Sequence, residues 1–250
     1  MLVSDVPAFA ISLQRKPAAA NAIASWQKAF KSVQIVKAVD ANTLNVQQDK
    51  RIHDLVRSQI QYPDIAADTV FALPSVGAVG CALSHYALMR KCEKLNRPMV
   101  VLEQDAVLSD TAIRTFRSLR IPPDADFVSL LYIRQPNLAP RDHTFDRITG
   151  PHCDGMQCYY ITPRGASKIL DKAFPIVTQN DLLVGIVAHT DPTFVALSLR
   201  QRLYSLSSVF WDNVHSSIQS FRIKKYLPRN NWFYYVFLLV LGYLFIMYLF

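Results

Sequence analysis

Short apolar runs alternate along this chain with stretches in which apolar residues recur at helical spacing. Ala8 to Leu13 (AFAISL) has the length and composition of a buried strand. Ala19, Ala22, Ile23, Trp26 and Phe30 then fall on one helical face in a segment starting near Pro17, and Val33 to Val39 (VQIVKAV) returns to strand character. Strand, helix, strand in the first forty residues opens a parallel βαβ unit and predicts an α/β domain. Asn42 to Leu73 is more polar and is interrupted by Pro63; it supports one helix around Asp49 to Gln61.

From Ser75 the pattern sharpens. SVGAVGCALSHYALMRKCEKLN starts with an N-cap residue, keeps helical periodicity through Val79, Leu83 and Tyr86, and ends in basic residues and Asn96. Gly77, Gly80, Cys81 and Ser84 form a stripe of small residues on it, which lets another backbone or a flat ligand approach closely. Two helical glycines cost about 1 kcal/mol each against alanine, so the stripe needs a packing or binding reason. Further strands are expected at Met99 to Leu102, Asp126 to Tyr132 and Gln157 to Ile161. Thr162 and Pro163 supply the cap and first turn of a helix through Lys172.

The strand from Met99 reads MVVLEQDAVL and runs into Glu103 and Asp105. On an extended chain these two acids share a face. Ligands of open α/β sheets gather beyond the carboxyl ends of strands, and two hard oxygen ligands there suit Mg²⁺ or Mn²⁺ held together with a diphosphate. His215, in VFWDNVHSSI, is a candidate third ligand because imidazole is acceptable to Mn²⁺. His85, four residues after Cys81, reads first as a hydrogen-bonded helix residue holding a nearby loop. Arg134 and Arg141 flank a charged loop.

Charge and the C-terminal segment change the picture further. The net charge of +8 comes from 27 basic and 19 acidic residues. Setting aside Arg222, Lys224, Lys225 and Arg229 leaves 23 basic residues against the same 19 acids. With no RNP-type motif or zinc-finger spacing, that balance gives no support for nucleic-acid binding. The four basic residues precede WFYYVFLLVLGYLFIMYLF, an uncharged run from Trp232. As a helix this run would span roughly 28 Å, against a bilayer core of about 30 Å. Trp232, Tyr234 and Tyr235 at its start and the basic flank predict a single C-terminal membrane anchor with the globular part on the cytoplasmic side. Met1 to Ser12 has no signal-peptide pattern. The expected division is a catalytic domain over 1–219, a basic juxtamembrane segment over 220–231 and a transmembrane helix over 232–250. Cys81, Cys92, Cys153 and Cys158 show no C-x-x-C pairing and are expected as reduced thiols.

GAVGCALSHYALMRKC followed by RPMVVLEQDAVL closely resembles glycosyltransferase family 25, in which a G-x-x-G-C-x-x-S-H helix precedes a strand ending in L-E-D-D. AFAISLQRK is similar to the family's opening I-N-L-x-R strand, KAVDANTL to its A-V-D-G-x-x-L, and YYITPRGASKILDKA to its Y-x-I-S-P-x-G-A-x-K. FPIVTQNDLLVG corresponds to its P-V-D stretch. The resemblance implies a GT-A-type nucleotide-sugar-binding domain with a mostly parallel central sheet. It also implies a UDP-sugar donor, often UDP-galactose, a divalent metal, and inverting transfer to a hydroxyl of a glycan, lipid-linked glycan or protein. Carried over by position, Glu103 and Asp105 serve the metal and the donor diphosphate, and Ser12, Arg15, Asp40, Gly80 and Ser84 lie around the nucleotide. Asp181 matches the acid that would act as base, with Asp212 as substitute. Three positions depart from the family: Gln104 replaces the middle acid, Ser12 an Asn, and Ala41 a Gly. Alternation predicts that Gln104 points away from the face of Glu103 and Asp105. Two other readings are a membrane-anchored nucleotide-sugar-binding protein without activity, and a nucleotidyltransferase or metal phosphohydrolase.

Overall fold

The structure, a computed structural model, describes residues 1–14, 17–62, 73, 75–131, 137–151, 153 and 156–203. Eight strands form one sheet: β1 Ala8–Ser12, β2 Val33–Lys37, β3 Met99–Glu103, β4 Phe127–Ser129, β5 Leu138–Pro140, β6 Phe145–Ile148, β7 Cys158–Ile161 and β8 Ala196–Leu199. Their order across the sheet is β2-β1-β3-β7-β4-β8-β6-β5. Among the described residues, six α-helices accompany them: α1 Ala20–Ala29, α2 Asp54–Gln61, α3 Val76–Leu95, α4 Asp110–Ser118, α5 Pro163–Leu170 and α6 Asn180–Thr190.

Alternation along the strands sorts side chains onto two faces. Phe9 and Ile11 of β1 and Met99 and Val101 of β3 join a cluster with Ala82, Leu83 and Met89 of α3, Ile169 of α5 and Val184 of α6. Ala8, Ala10, Val100 and Leu102 point the other way, onto Trp26 of α1 and Phe116 of α4. Helices on both faces leave the inner strands with no polar side, hence the unbroken apolar runs. Ser75 caps α3 through its Oγ, which accepts from Ala78 N at 3.2 Å. Asn96 ends that helix in the left-handed region at φ 46°. Thr162 Oγ1 accepts from Gly165 N at 3.0 Å at the start of α5.

The sheet is mixed rather than mostly parallel. β1 pairs in parallel with β2 and β3, and β4 with β8, but β7 is antiparallel to both β3 and β4, and β6 to both β5 and β8. Strand direction is not encoded in an apolar run such as Cys158 to Ile161, which is buried throughout. The carboxyl ends of β1, β2 and β3 share one edge with the start of β7, since Leu102 faces Cys158.

All described residues fall in one unit, Met1–Val214. Arg15, Arg134, Asp212, His215, the basic segment 220–231 and the apolar segment 232–250 lie outside the described residues. Among the described residues no helix is long and apolar enough to cross a membrane.

Candidate functional site

The carboxyl edge of β1, β2 and β3 gathers the sequence-predicted acids, though not by strand alternation. β3 ends at Glu103, and Gln104 and Asp105 form a turn in which Ala106 N donates to Glu103 O at 3.0 Å and Val107 N to Asp105 O at 2.8 Å. The face-sharing expected of an extended E-x-D therefore does not apply past Glu103. The turn is braced from two sides. The Trp26 indole, fully buried on α1, donates to Ala106 O at 2.7 Å, and Leu13 N donates to the Gln104 side-chain oxygen at 2.9 Å. Gln104 thus ties the end of β3 to the end of β1, a task for a neutral acceptor with the reach of a glutamine.

Glu103 is held from α3. His85, 1% exposed, contacts Glu103 Oε1 through Nε2 at 3.2 Å and the Tyr159 hydroxyl through Nδ1 at 3.0 Å. Burial, followed by the Glu103 carboxylate, pushes the Tyr159 phenol well above its ordinary range, so it remains a proton donor. The assignment that satisfies both contacts has Tyr159 O–H donating to Nδ1 and Nε2–H donating to Glu103. The imidazole holds the Glu103 carboxylate at the end of β3 rather than a loop. Its partner lies 74 residues away in sequence, so no local pattern announced the pairing.

Asp181 joins this group from the first turn of α6, where its Oδ1 accepts from Leu182 N at 2.8 Å. Burial, then the fields of Glu103, Asp181 and Asp105, raise the Cys81 thiol well above its usual range. The fields of three acids, two at the end of β3 and one at the start of α6, therefore reach one point of α3. Burial and Asp181 likewise raise the Tyr86 hydroxyl. All four cysteines are free.

The small stripe of α3 faces another backbone. Ser84 Oγ accepts from Val39 N at 2.9 Å and donates to Gly80 O at 2.7 Å. A Cβ at Gly80 would lie 3.0 Å from Val39 O and 3.2 Å from Ala41 Cβ. Gly80 and Ser84 thus seat the chain leaving β2, which carries Asp40. The Asp40 side chain accepts from Asn42 N at 3.0 Å and starts the 3-10 turn Ala41–Thr43. Ser12 is buried, and its Oγ accepts from Ala18 N at 3.0 Å, closing the segment after β1. Arg141 pairs with Asp124 at 2.7 Å.

Two ligand sets meet at Glu103. Single ligand atoms of Cys81, His85 and Glu103 lie within 4.8 Å of one another, but the thiol is pushed toward its protonated form and both imidazole nitrogens have partners. The oxygen donors suit a hard divalent cation better. His85 takes Oε1 of Glu103 and leaves Oε2, Asp105 is exposed on the adjoining turn, and the buried Gln157 Oε1 has no hydrogen-bond partner. Gln157 stands directly across from Glu103, whose N donates to Gln157 O at 2.8 Å.

The sequence profile of glycosyltransferase family 25 (LPS biosynthesis protein) matches residues 6–184, from the approach to β1 into α6. A comparison with individual curated proteins finds no match. Glu103, Asp105 and Asp181 all lie within the matched span, as do the α3 and β7 segments that hold them. The chain therefore belongs to glycosyltransferase family 25 and is a glycosyltransferase.

Proposed function

We propose that this enzyme is a GT-A-type, divalent-cation-dependent inverting transferase. It moves a hexose, galactose by family preference, from a UDP-sugar to a hydroxyl of a glycan or lipid-linked glycan. The observation that supports the reading is the placement of Glu103 and Asp105 at the carboxyl end of β3, with Asp181 near enough for its field to reach the same Cys81 thiol as theirs, all within the span matched to the family. Like charges assembled this way repel, and a doubly charged ion relieves the repulsion and leaves positions for diphosphate oxygens.

Glu103 and Asp105 would hold Mn²⁺ or Mg²⁺. The bound ion supplies charge stabilisation for the departing diphosphate. The protein's own residues do the rest. His85 and Tyr159 fix Glu103, while Trp26 and Gln104 fix the turn that carries Asp105. Asp181 takes the proton of the acceptor hydroxyl as its oxygen bonds to the sugar's anomeric carbon. The bond from that carbon to the diphosphate breaks, and UDP leaves with the electron pair. A positioned base of this kind contributes about 10²- to 10⁴-fold to rate.

Gln104 supports retained activity, because its amide has a bracing role that does not need the missing acid. The apolar segment 232–250 and its basic flank support an anchor that confines the enzyme to the cytoplasmic surface of a membrane, where a lipid-linked acceptor is concentrated. The test is UDP release from UDP-galactose by the full chain in detergent, with and without acceptor. EDTA should abolish release and Mn²⁺ restore it. Asp181→Asn should bind UDP normally but lose at least about 10²-fold in transfer. UDP binding without turnover would favour a non-catalytic binding protein. Cleavage indifferent to acceptor and to Asp181 would favour a phosphohydrolase.

A further inference from the structure

We infer that Gln157 is a third oxygen ligand of the divalent cation, beside Glu103 and Asp105; this rests on the cation-dependent reading above. Among the described residues, Gln157 Oε1 stands out as a buried side-chain oxygen with no hydrogen-bond partner. Buried polar atoms without partners are rare in folded proteins and call for a cause.

Its position supplies the cause. Gln157 lies directly opposite Glu103 across the antiparallel pair of β3 and β7, since Leu102 faces Cys158 and Glu103 N donates to Gln157 O at 2.8 Å. Directly opposed residues project to the same face, with Cβ atoms about 4.5–5.5 Å apart. That is close enough for oxygens of the two side chains to meet on one ion. The same face carries Tyr159, which reaches His85 and through it Glu103. On the other side, Met156 Sδ accepts from Asn180 Nδ2 at 3.2 Å, tying the chain before Gln157 to the residue preceding Asp181. Gln157 is thus inserted between the segments that bring Glu103 and Asp181 to the site.

The surroundings select the ligand. Glu103 stands directly across from Gln157, and Asp181 follows the residue tied to Met156, so a further lone pair is unfavourable there unless it faces positive charge. An amide carbonyl oxygen is a hard, neutral donor of the kind that Mg²⁺ and Mn²⁺ accept together with carboxylates. Two carboxylates and one amide balance the charge of one divalent ion and leave its remaining positions to diphosphate oxygens and water.

The test is Mn²⁺ binding to the full chain in detergent, followed by loss of the free-ion electron paramagnetic resonance signal, with and without UDP. Gln157→Leu should weaken Mn²⁺ binding at least about tenfold, the smaller effect seen when even outer supports of a metal site are removed. Its thermal stability should be unchanged or raised, because the orphaned oxygen is gone. Gln157→Glu should retain or tighten Mn²⁺ binding. Wild-type Mn²⁺ affinity in Gln157→Leu, with Glu103→Gln weakened, overturns the inference and leaves the cation reading standing. If discrimination between epimeric UDP-hexoses then changes, the oxygen belongs to a sugar hydroxyl instead. A wild-type chain that takes up no Mn²⁺ with or without UDP overturns both.

Discussion

Replacing His85 by Phe keeps an aromatic ring between α3 and β7 but removes both nitrogens. Tyr159 is fully buried, so its hydroxyl loses its partner where water does not reach. Such a stranded group costs about 1–3 kcal/mol. Glu103 keeps 28% of its side-chain surface exposed, so water can replace the imidazole there and adds at most about 1 kcal/mol. Tyr159→Phe strands the other end, leaving Nδ1 of His85 without its partner at a similar cost. The double variant strands neither group, and removing both partners of a buried bond is close to neutral. The loss in the double variant should therefore fall short of the sum of the singles by about 2 kcal/mol or more, the two stranding costs together. Urea unfolding at constant slope measures each corner of the cycle. His85→Phe should also slow UDP release by about 10- to 100-fold, since the carboxylate loses its outer support. Additive stability losses would refute the coupling of Tyr159, His85 and Glu103. Unchanged turnover in His85→Phe would refute its role in holding Glu103.

Other substitutions probe the scaffold. Gly80→Ala should destabilise by about 1 kcal/mol in urea unfolding, because overpacking against Val39 O and Ala41 costs about 1–3 kcal/mol and the helix regains about 1. Gly165→Ala should cost more, about 3 kcal/mol or above: the new Cβ would press on the Asp126 carbonyl, 2.9 Å from its carbon, and that oxygen accepts from Thr162 N. Asp191 is held down to about 2, first by the Thr193 hydroxyl at 2.6 Å, then by Thr193 N and Lys168. A lowered carboxyl stabilises the fold above its unfolded value near 4, and that contribution drains away as pH falls through about 2. The thermal advantage of the wild type over Asp191→Asn should be constant above about pH 5 and vanish near pH 2 in melting curves; a gap independent of pH would contradict the assignment.

The parts of the fold legible from sequence were those with local signals. Periodicity and the caps at Ser75 and Thr162 marked α3 and α5, and the apolar runs marked β1, β2 and β3. Strands such as Leu138–Pro140 and Phe145–Ile148 are too short to stand out, and β7 reads the same in either direction. Asn180–Thr190 has apolar residues around most of its surface, and its helical period is correspondingly weak. At the site, Glu103, Asp105 and Asp181 were visible as acids in recognisable motifs. Their supports were not, because each is a long-range contact: Gln104 with Leu13 across 91 residues, Trp26 with Ala106 across 80, His85 with Tyr159 across 74. The alternation argument placed Gln104 by strand geometry one residue after the strand had ended.

Crystals grown with UDP and Mn²⁺, examined by anomalous diffraction at the manganese edge, test the site most directly. The expected map has one manganese peak in contact with Glu103 and Asp105, with the UDP diphosphate bound to it. A manganese and UDP pair bound elsewhere, with both acids touching neither, would contradict the assignment of this edge of the sheet as the donor site.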